Sequence, residues 1–492
     1  MRVIKHIDEK VIAKTVKRCR ERGVIIPTFA EQRDPSRVPE AVKRRLKQVG
    51  MQDVDPINLF RITWKNEPKE KGGLFNRGNW IEFPPELTGV PARIVGLVGK
   101  HFPIGAHKVG AAFGCLVPRL VTGEFDPELH KAVWPSTGNF CRGGAFDSAL
   151  LGCKAIAILP EGMSKERFEW LREIGTDEVI ATPGTESNVK EIYDKCWELR
   201  KERGDKISIF NQFEEFGNAA WHYTMTGSIV EEIFGQIRKP DSRLAAYISA
   251  TGSAGTIAAG DYLRTKFPHV KVVATEALQC PTLLSNGYGA HRIEGIGDKH
   301  VPWVHNVRNT DMVAAVDDEQ TMSLLRLFNE EEGIKFLAGC GLKADFLKLL
   351  PLVGISGICN LVAAIKVAKH YELDGRDVMV TPLTDSMDLY ESRKQELREE
   401  RGPYTRERAA QDFARYLEGA GTDYLQELGY HDRKRLHNLK YFTWVEQQGK
   451  TSEELAALWE PDFWTETWTQ VQEWDRLIQQ FNERTGLLKT LS

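Results

Sequence analysis

Residues 104–114 read I-G-A-H-K-V-G-A-A-F-G. One lysine, Lys108, stands among small and apolar residues. No carboxylate lies within ten positions on either side of it. A lysine on a solvated face keeps charged company, and one that snorkels needs only an apolar stem surface. Here a histidine, His107, precedes the lysine, and Ala111, Ala112, Phe113 and Gly114 follow. That setting disfavours a charged ammonium and suits an amine that reacts as a nucleophile.

The bulk numbers fit an ordinary enzyme-sized chain. Its 492 residues exceed one domain's usual length. Hydrophobic residues make up 41% and charged residues 27%, with a formal net charge of -3. That balance gives no reason to expect nucleic acid or an acidic membrane as partner. The eight cysteines are scattered, with no C-x-x-C pair. A zinc or thiol-redox motif therefore lacks its spacing, no metal is expected, and reduced thiols are the simpler reading. The N-terminal M-R-V-I-K-H-I-D-E-K lacks the apolar core of a secretory signal, and no apolar run approaches a membrane span. A cytoplasmic protein is expected. No repeat or low-complexity tract is visible.

Outward from Lys108, the chain changes texture twice. Residues 1–74 are basic and patchy, with helical pieces such as 40–49, and end in K-E-K-G-G. From about 130, short apolar runs alternate with helix-length amphipathic ones. The runs 132–134, 155–159, 178–181, 207–210, 244–250, 270–275 and 378–381 read as buried strands, each ending near Gly, Pro, Ser or Asn. Val189, Ile192, Tyr193, Cys196 and Leu199 give an apolar helical face between two of them. Strand and helix in this rhythm predict an α/β fold of parallel sheets covered on both faces, with ligands at the strands' C-terminal ends. After about 393 the strand signal stops. The remainder reads as all-helical, with Trp444, Trp459, Trp464, Trp468 and Trp474. Trp464 and Trp468 share a helical face, which predicts packing on the core or at a subunit interface; a lid is the sharper alternative.

Four loops carry candidate chemistry. P-S-T-G-N-F-C-R-G-G, 135–144, places hydroxyls and an amide at a helix start, where N–H groups favour a carboxylate; a plain helix cap is the alternative. S-A-T-G-S-A-G-T, 249–256, is a phosphate cradle before another helix. It lacks both G-x-G-x-x-G and the P-loop lysine. Glu276, about twenty residues on, sits where a dinucleotide-binding domain keeps its ribose acid, so a nicotinamide enzyme is a rival reading. H-R-I-E-G-I-G-D-K-H, 291–300, is a polar glycine loop. V-M-V-T-P-L-T-D-S-M-D, 378–388, delivers Thr384, Asp385 and Ser386 to the same sheet edge. An amine, a phosphate cradle, a carboxylate turn and a polar group for a ring together describe a pyridoxal phosphate site.

These motifs resemble, in order, those of the fold type II pyridoxal-phosphate enzymes, such as cysteine synthase and the tryptophan synthase β subunit. G-A-H-K, 105–108, is similar to the lysine segment of the latter. S-T-G-N, 136–139, is similar to the carboxylate loop of cysteine synthases, T-G-S-A-G-T (251–256) to their phosphate loop and H-R-I-E-G-I-G (291–297) to their substrate-side glycine loop, while N-Q-F-E-E-F-G-N-A-A-W-H-Y-T-M-T-G (211–227), E-E-G-I (331–334) and G-I-S-G (354–357) resemble further stretches of theirs. The resemblance implies a core over 76–392 of two three-layer parallel-sheet subdomains, an N-terminal extension 1–75 and a helical extension 393–492. It implies that Lys108 forms the Schiff base and acts as general base. The cofactor set becomes Lys108, His107, Asn139, Gly252, Ser253, Ala254, Gly255 and Thr256. The ring-nitrogen partner is Thr384 on one alignment and Ser356 or Gly357 on another, with Asp385 adjacent. Ser136, Thr137, Gly138 and Asn139 would hold the substrate carboxylate, with Gly295 on the substrate side. Cys141 is either substrate-facing or a buried structural thiol. The absence of an acidic residue in S-T-G-N argues against indole as substrate. The implied activity is β-replacement on a small L-amino acid through a Lys108 aldimine and an aminoacrylate. A β-eliminating lyase and a cofactor-binding protein without turnover are the alternatives. A homodimer is the family expectation.

Overall fold

The computed structural model describes residues 3–136, 138–185 and 189–490. Eleven strands lie among them: β1 (Trp80–Phe83), β2 (Arg93–Val98), β3 (Lys131–Pro135), β4 (Lys154–Pro160), β5 (Glu178–Thr182), β6 (Ile207–Ile209), β7 (Arg243–Ala250), β8 (Lys271–Ala277), β9 (Met312–Val316), β10 (Asp377–Leu383) and β11 (Leu425–Glu427). They form two sheets. One has the order β5-β4-β3-β6 and is parallel throughout. The other has the order β1-β2-β10-β7-β8-β9-β11. Its five central strands are parallel, and helices cover both sheets.

All seven runs read as strands form strands. Four further strands carried no clear signal. β2 and β9 are short, contain Gly or Ala, and are held by burial between neighbours. β1 and β11 correct the expectation of wholly parallel sheets, because each pairs antiparallel with its neighbour at an edge. β11 also corrects the all-helical reading of the C-terminal region. Its three residues pair with Met312–Ala314 and cover the open edge of β9, a tertiary pairing that no local pattern encodes.

The parallel strands point their C-terminal ends into a common crevice. The turn after β2 leads to Lys108, the turn after β3 carries Ser136–Asn139, and Gln212 follows β6. The turn after β7 carries 251–256, and Thr384 follows β10. Lys108 opens the helix Lys108–Thr122, in which every residue except Arg119 is buried. Glycines let other elements approach it. A Cβ on Gly110 would lie 2.1 Å from the Trp221 ring, and one on Gly114 2.4 Å from the Gly217 carbonyl oxygen.

The two ends of the chain complete this wrapping. The helix Pro461–Thr485 buries Trp464, Trp468, Trp474 and Phe481 on one face. Phe29 sits between Phe113 and Trp474, 5.6 Å from each ring. Asp475 accepts the N–H groups of Phe29 (2.6 Å) and Ala30 (3.1 Å). Asn482, buried, accepts from the Ile26 N–H (3.1 Å) and donates to the Ile26 carbonyl (2.7 Å). The tryptophan-rich region therefore packs on the core, the first of the two readings above. Among the described residues no single helix is long and apolar enough to cross a membrane.

Asn482→Ala leaves both Ile26 groups buried without partners, so the unfolding free energy should fall by about 2–4 kcal/mol. Urea unfolding checks this; an unchanged midpoint would show that Ile26 finds other partners.

Candidate active site

Lys108 is buried at the start of its helix, and its Nζ donates to Ser253 Oγ (3.1 Å) and Gln212 Oε1 (3.4 Å). Asn218 Nδ2 bonds the same Ser253 Oγ (3.0 Å) and the Gln212 carbonyl (3.0 Å). Two adjoining cavities meet at the lysine. Lys108, Gly252, Ser253, Gly295, Ile296 and Thr384 line both.

The first cavity is a cradle. Gly252, Ser253, Ala254 and Thr256 line it, just ahead of the helix Ala258–Lys266. Ala254 adopts φ 58°, a left-handed conformation that costs a non-glycine residue energy and turns successive N–H groups to one side. Among the described residues, the N–H groups of Gly252, Ser253, Ala254 and Thr256 donate to no protein acceptor. Buried donors without partners at a helix N-terminus fit a phosphate. Gly255 lies outside the lining. A Cβ there would strike Asn218 Oδ1 at 2.1 Å, so Gly255 admits the side chain that orients Ser253.

The second cavity is lined by Ser136, Asn139, Phe140, Gln212, Phe213, Gly297 and Asp298 besides the shared residues. Thr137 lies outside the described residues. Gly138 adopts φ 148° and admits Arg167, whose Cδ would lie 2.6 Å from a Cβ there. Asn139 is held from both ends. Its Nδ2 donates to Asp385 Oδ2 (2.6 Å), and its Oδ1 accepts from Arg142 Nη1 (3.2 Å). Arg142 can only donate, so the amide orientation is settled and one Asn139 N–H remains for a group in the cavity. Tyr390 also donates to Asp385 Oδ2 (2.7 Å). Burial pushes the Asp385 carboxyl above its usual pKa, with Arg167 opposing the shift. Burial, with Arg167 nearby, draws Arg142 down to about 10.

The candidates for a ring partner separate here. Thr384 lines both cavities; Ser356, Gly357 and Asp385 line neither. Ser356 is buried in the first turn of the helix Ile355–His370, and Asn360, one turn on, reaches the first cavity instead. His107 also stands behind the lining, with its Nε2 3.2 Å from Thr384 Oγ1. Its ring is fully buried, and desolvation, then the Lys108 charge, lowers its pKa to about 3. A neutral ring carries one N–H. Its Nδ1 has no partner among the described residues. An orphan lone pair is cheaper to bury than an orphan N–H, so we assign the proton to Nε2. Thr384 then accepts from His107 and keeps its own hydroxyl hydrogen for the cavity.

Sequence reasoning quoted the run 211–227 without singling out Gln212 or Asn218. It also passed over Asn360, just after G-I-S-G, and Asp298, just after G-I-G. Cys141 is structural: it is buried, donates to the Gly138 carbonyl (2.9 Å), and burial pushes its thiol up to about 12. Glu276, weighed as a ribose ligand, caps the short helix Thr282–Ser285 through the N–H groups of Leu283 (2.9 Å) and Leu284 (2.8 Å). Its carboxylate is spent inside the fold, which removes the acid that the nicotinamide reading needed.

The buried His107 generates a pH prediction. Its folded pKa, about 3, lies below the ordinary 6.5. The unfolded chain therefore binds the extra proton between these values, and stability falls as pH drops below 6.5, by up to about 1.4 kcal/mol per unit for this group. His107→Asn should reduce the proton uptake on unfolding near pH 5 by about one. Urea unfolding at a series of pH values reads it, and an unchanged slope would show His107 already protonated in the fold.

Residues 100–345 match the family model described as pyridoxal-phosphate dependent enzyme. A cysteine synthase of Staphylococcus aureus (strain N315) is 31% identical over 260 residues, 52% of this chain and 74% of that protein. The fold is similar to an O-acetylserine dependent cystathionine β-synthase from Helicobacter pylori, with a TM-score of 0.53, 24% identity, and coverage of 64% of this chain and 94% of that one. A cysteine synthase from Entamoeba histolytica gives a TM-score of 0.55 at 20% identity, covering 68% and 92%. The unpaired N–H groups at Gly252, Ser253, Ala254 and Thr256, the buried lysine between two cavities and the family match agree: this chain belongs to the pyridoxal-phosphate dependent enzymes of fold type II, and pyridoxal phosphate is its cofactor.

Proposed function

We propose that this enzyme carries out β-replacement on a small L-amino acid bearing a leaving group at its β-carbon, with 76–392 as catalytic core and the flanks 1–75 and 393–492 as its support. The observation that carries the reading is the place of Lys108 Nζ, between a cradle of unpaired N–H groups and a second cavity bordered by Ser136 and Asn139. The similarity to cysteine synthases supports it.

The geometry supports the following roles. Gly252, Ser253, Ala254 and Thr256 would hold the phosphate. The free Asn139 N–H would meet the ring oxygen, and the Thr384 hydroxyl the ring nitrogen. When bound, pyridoxal phosphate supplies an aldehyde that takes up an amine and a ring that withdraws charge from the α-carbon. Lys108 would hold the cofactor through its amine. With its amine free, Lys108 Nζ lies beside Ser253 and Gln212, where it would take the α-proton as general base. Ser136 and the helix start after Gly138 would receive the substrate carboxylate, with Thr137 added on the resemblance alone, and Gly295 would line the substrate side. The largely buried walls would limit the water that reaches the reacting carbon.

The test is a titration. The purified chain with pyridoxal phosphate should show a visible absorption band that shifts with one of serine, O-acetylserine, cysteine or threonine. Adding sulfide or a thiol should then yield a β-substituted amino acid. Lys108→Ala should lose turnover by at least about 10³-fold and lose the lysine-linked band. Release of keto acid and ammonia with no nucleophile incorporated would turn the assignment to β-elimination. A chain that stays colourless with added cofactor would sink it.

A further inference from the structure

The second cavity borrows its shape from a stretch that cannot hold itself. Residues 297–305 leave the glycine loop, carry Asp298 to the lining and run on to the buried Trp303 and His305. Within the stretch, the His305 N–H bonds the Pro302 carbonyl. Its other ties are external. The Gly297 N–H bonds the Thr251 carbonyl (3.1 Å), and the Val304 N–H bonds the Phe213 carbonyl (3.2 Å).

Thr282 Oγ1 donates to the Asp298 carbonyl (2.6 Å), and the later carbonyls, of Val301, Trp303 and His305, go to the C-terminal region. Trp444 Nε1 donates to the Val301 carbonyl (2.9 Å). Lys440 Nζ donates to the Trp303 (2.9 Å) and His305 (2.7 Å) carbonyls. Both side chains are fully buried. Lys440 has no carboxylate within ion-pair distance among the described residues, and burial draws its pKa well below the usual lysine value. Its amine spends its N–H groups on two backbone carbonyls of one segment. Desolvating an amine without a counter-ion costs stability. Its position here is explained by what it holds.

The same region grips the opposite wall. His300 sits in an aromatic cage, its ring 5.5 Å from Trp444, 5.0 Å from Phe213 and 5.8 Å from Tyr193. Lys450 pairs with Glu214 at 2.6 Å. Phe213 and Glu214 directly follow Gln212, the residue that bonds Lys108.

We propose that Lys440 and Trp444 are positioning residues for the substrate half of the active site: they fix 297–305 and, through Phe213, Gln212, so that Asp298 and Gln212 face the cavity. The inference rests on reading that cavity as the substrate site. It predicts a division of labour. The C-terminal region acts on the substrate cavity directly and reaches the cradle at 252–256 only at second hand, through the Gly297–Thr251 bond and through Gln212, Asn218 and Ser253.

The experiment uses the full-length, cofactor-loaded enzyme with Lys440→Met, Trp444→Phe and, as a surface control, Lys348→Met. Lys440→Met keeps the apolar stem, and Trp444→Phe keeps a ring but removes the N–H. Backbone hydrogen exchange of 297–305 and 211–215 should accelerate in both variants. The KM for the amino acid should rise about tenfold, with kcat and the Kd for pyridoxal phosphate changed less than KM. Unchanged exchange overturns the proposal, and so does faster exchange with an unchanged KM or with a loss of cofactor affinity as large as the rise in KM. If Lys440→Met does not fold, Trp444→Phe alone decides. A wild-type enzyme that turns over none of the amino acids would instead overturn the proposed function. The exchange of 297–305 would then still decide whether these two side chains hold the segment.

Discussion

A helix with no face toward solvent must be enclosed on every side, and the helix Lys108–Thr122 imposes that demand on the whole molecule. Its small residues are what make enclosure possible. Gly110 receives the Trp221 ring, Gly114 meets Gly217 backbone to backbone, and the Lys108 carbonyl presses on Gly143. Close packing of this kind gains dispersion contacts that larger side chains would forbid. The lysine at its start has nowhere to go but the crevice between the sheets. The stretch that looked too apolar for a lysine is thus a packing solution first, and the reactive amine inherits its burial from it.

The residues behind the second cavity form one charged network. Arg167 bonds Glu294 and Tyr390; Tyr390 and Asn139 both bond Asp385; Arg393 bonds Glu294 and the Gly162 carbonyl. These groups come from the turn after β3, the helix Lys165–Glu173 after β4, the glycine loop, the turn after β10 and the helix Glu391–Arg401. Buried ion pairs are poor sources of stability, because desolvation offsets their attraction. What this network supplies is direction, since each planar guanidinium admits few arrangements of its partners. It holds the Gly138–Asn139 turn against Thr384 and Gly295.

What could be read from the sequence follows from this. The strands β3 to β8 and β10 are legible because their apolar runs end sharply at turn residues. The loops at 136–139 and 251–256 are legible because small polar residues at a helix start have few other uses. The strands β2 and β9 are not, because Gly and Ala dilute the apolar signal and burial alone holds them extended. Pairings such as Asn139 with Asp385, or Lys440 with Trp303, depend on topology that no local period carries. Ser356 and Asn360 show the same limit at close range. They lie four residues apart on one helix, and only the packed structure says which of them meets the cavity.

The bond pair between Ile26 and Asn482 joins positions 456 residues apart. At the usual pace of translation, about 5–20 residues per second, roughly 20–90 s separate the synthesis of the two. For that interval the N-terminal segment around Phe29 has no Trp474 to cover it, and the buried helix behind it stays open on that flank. The nascent chain therefore spends most of its time on the ribosome with a sticky apolar seam. Its dependence on chaperones during synthesis should be set by how late its last helix arrives.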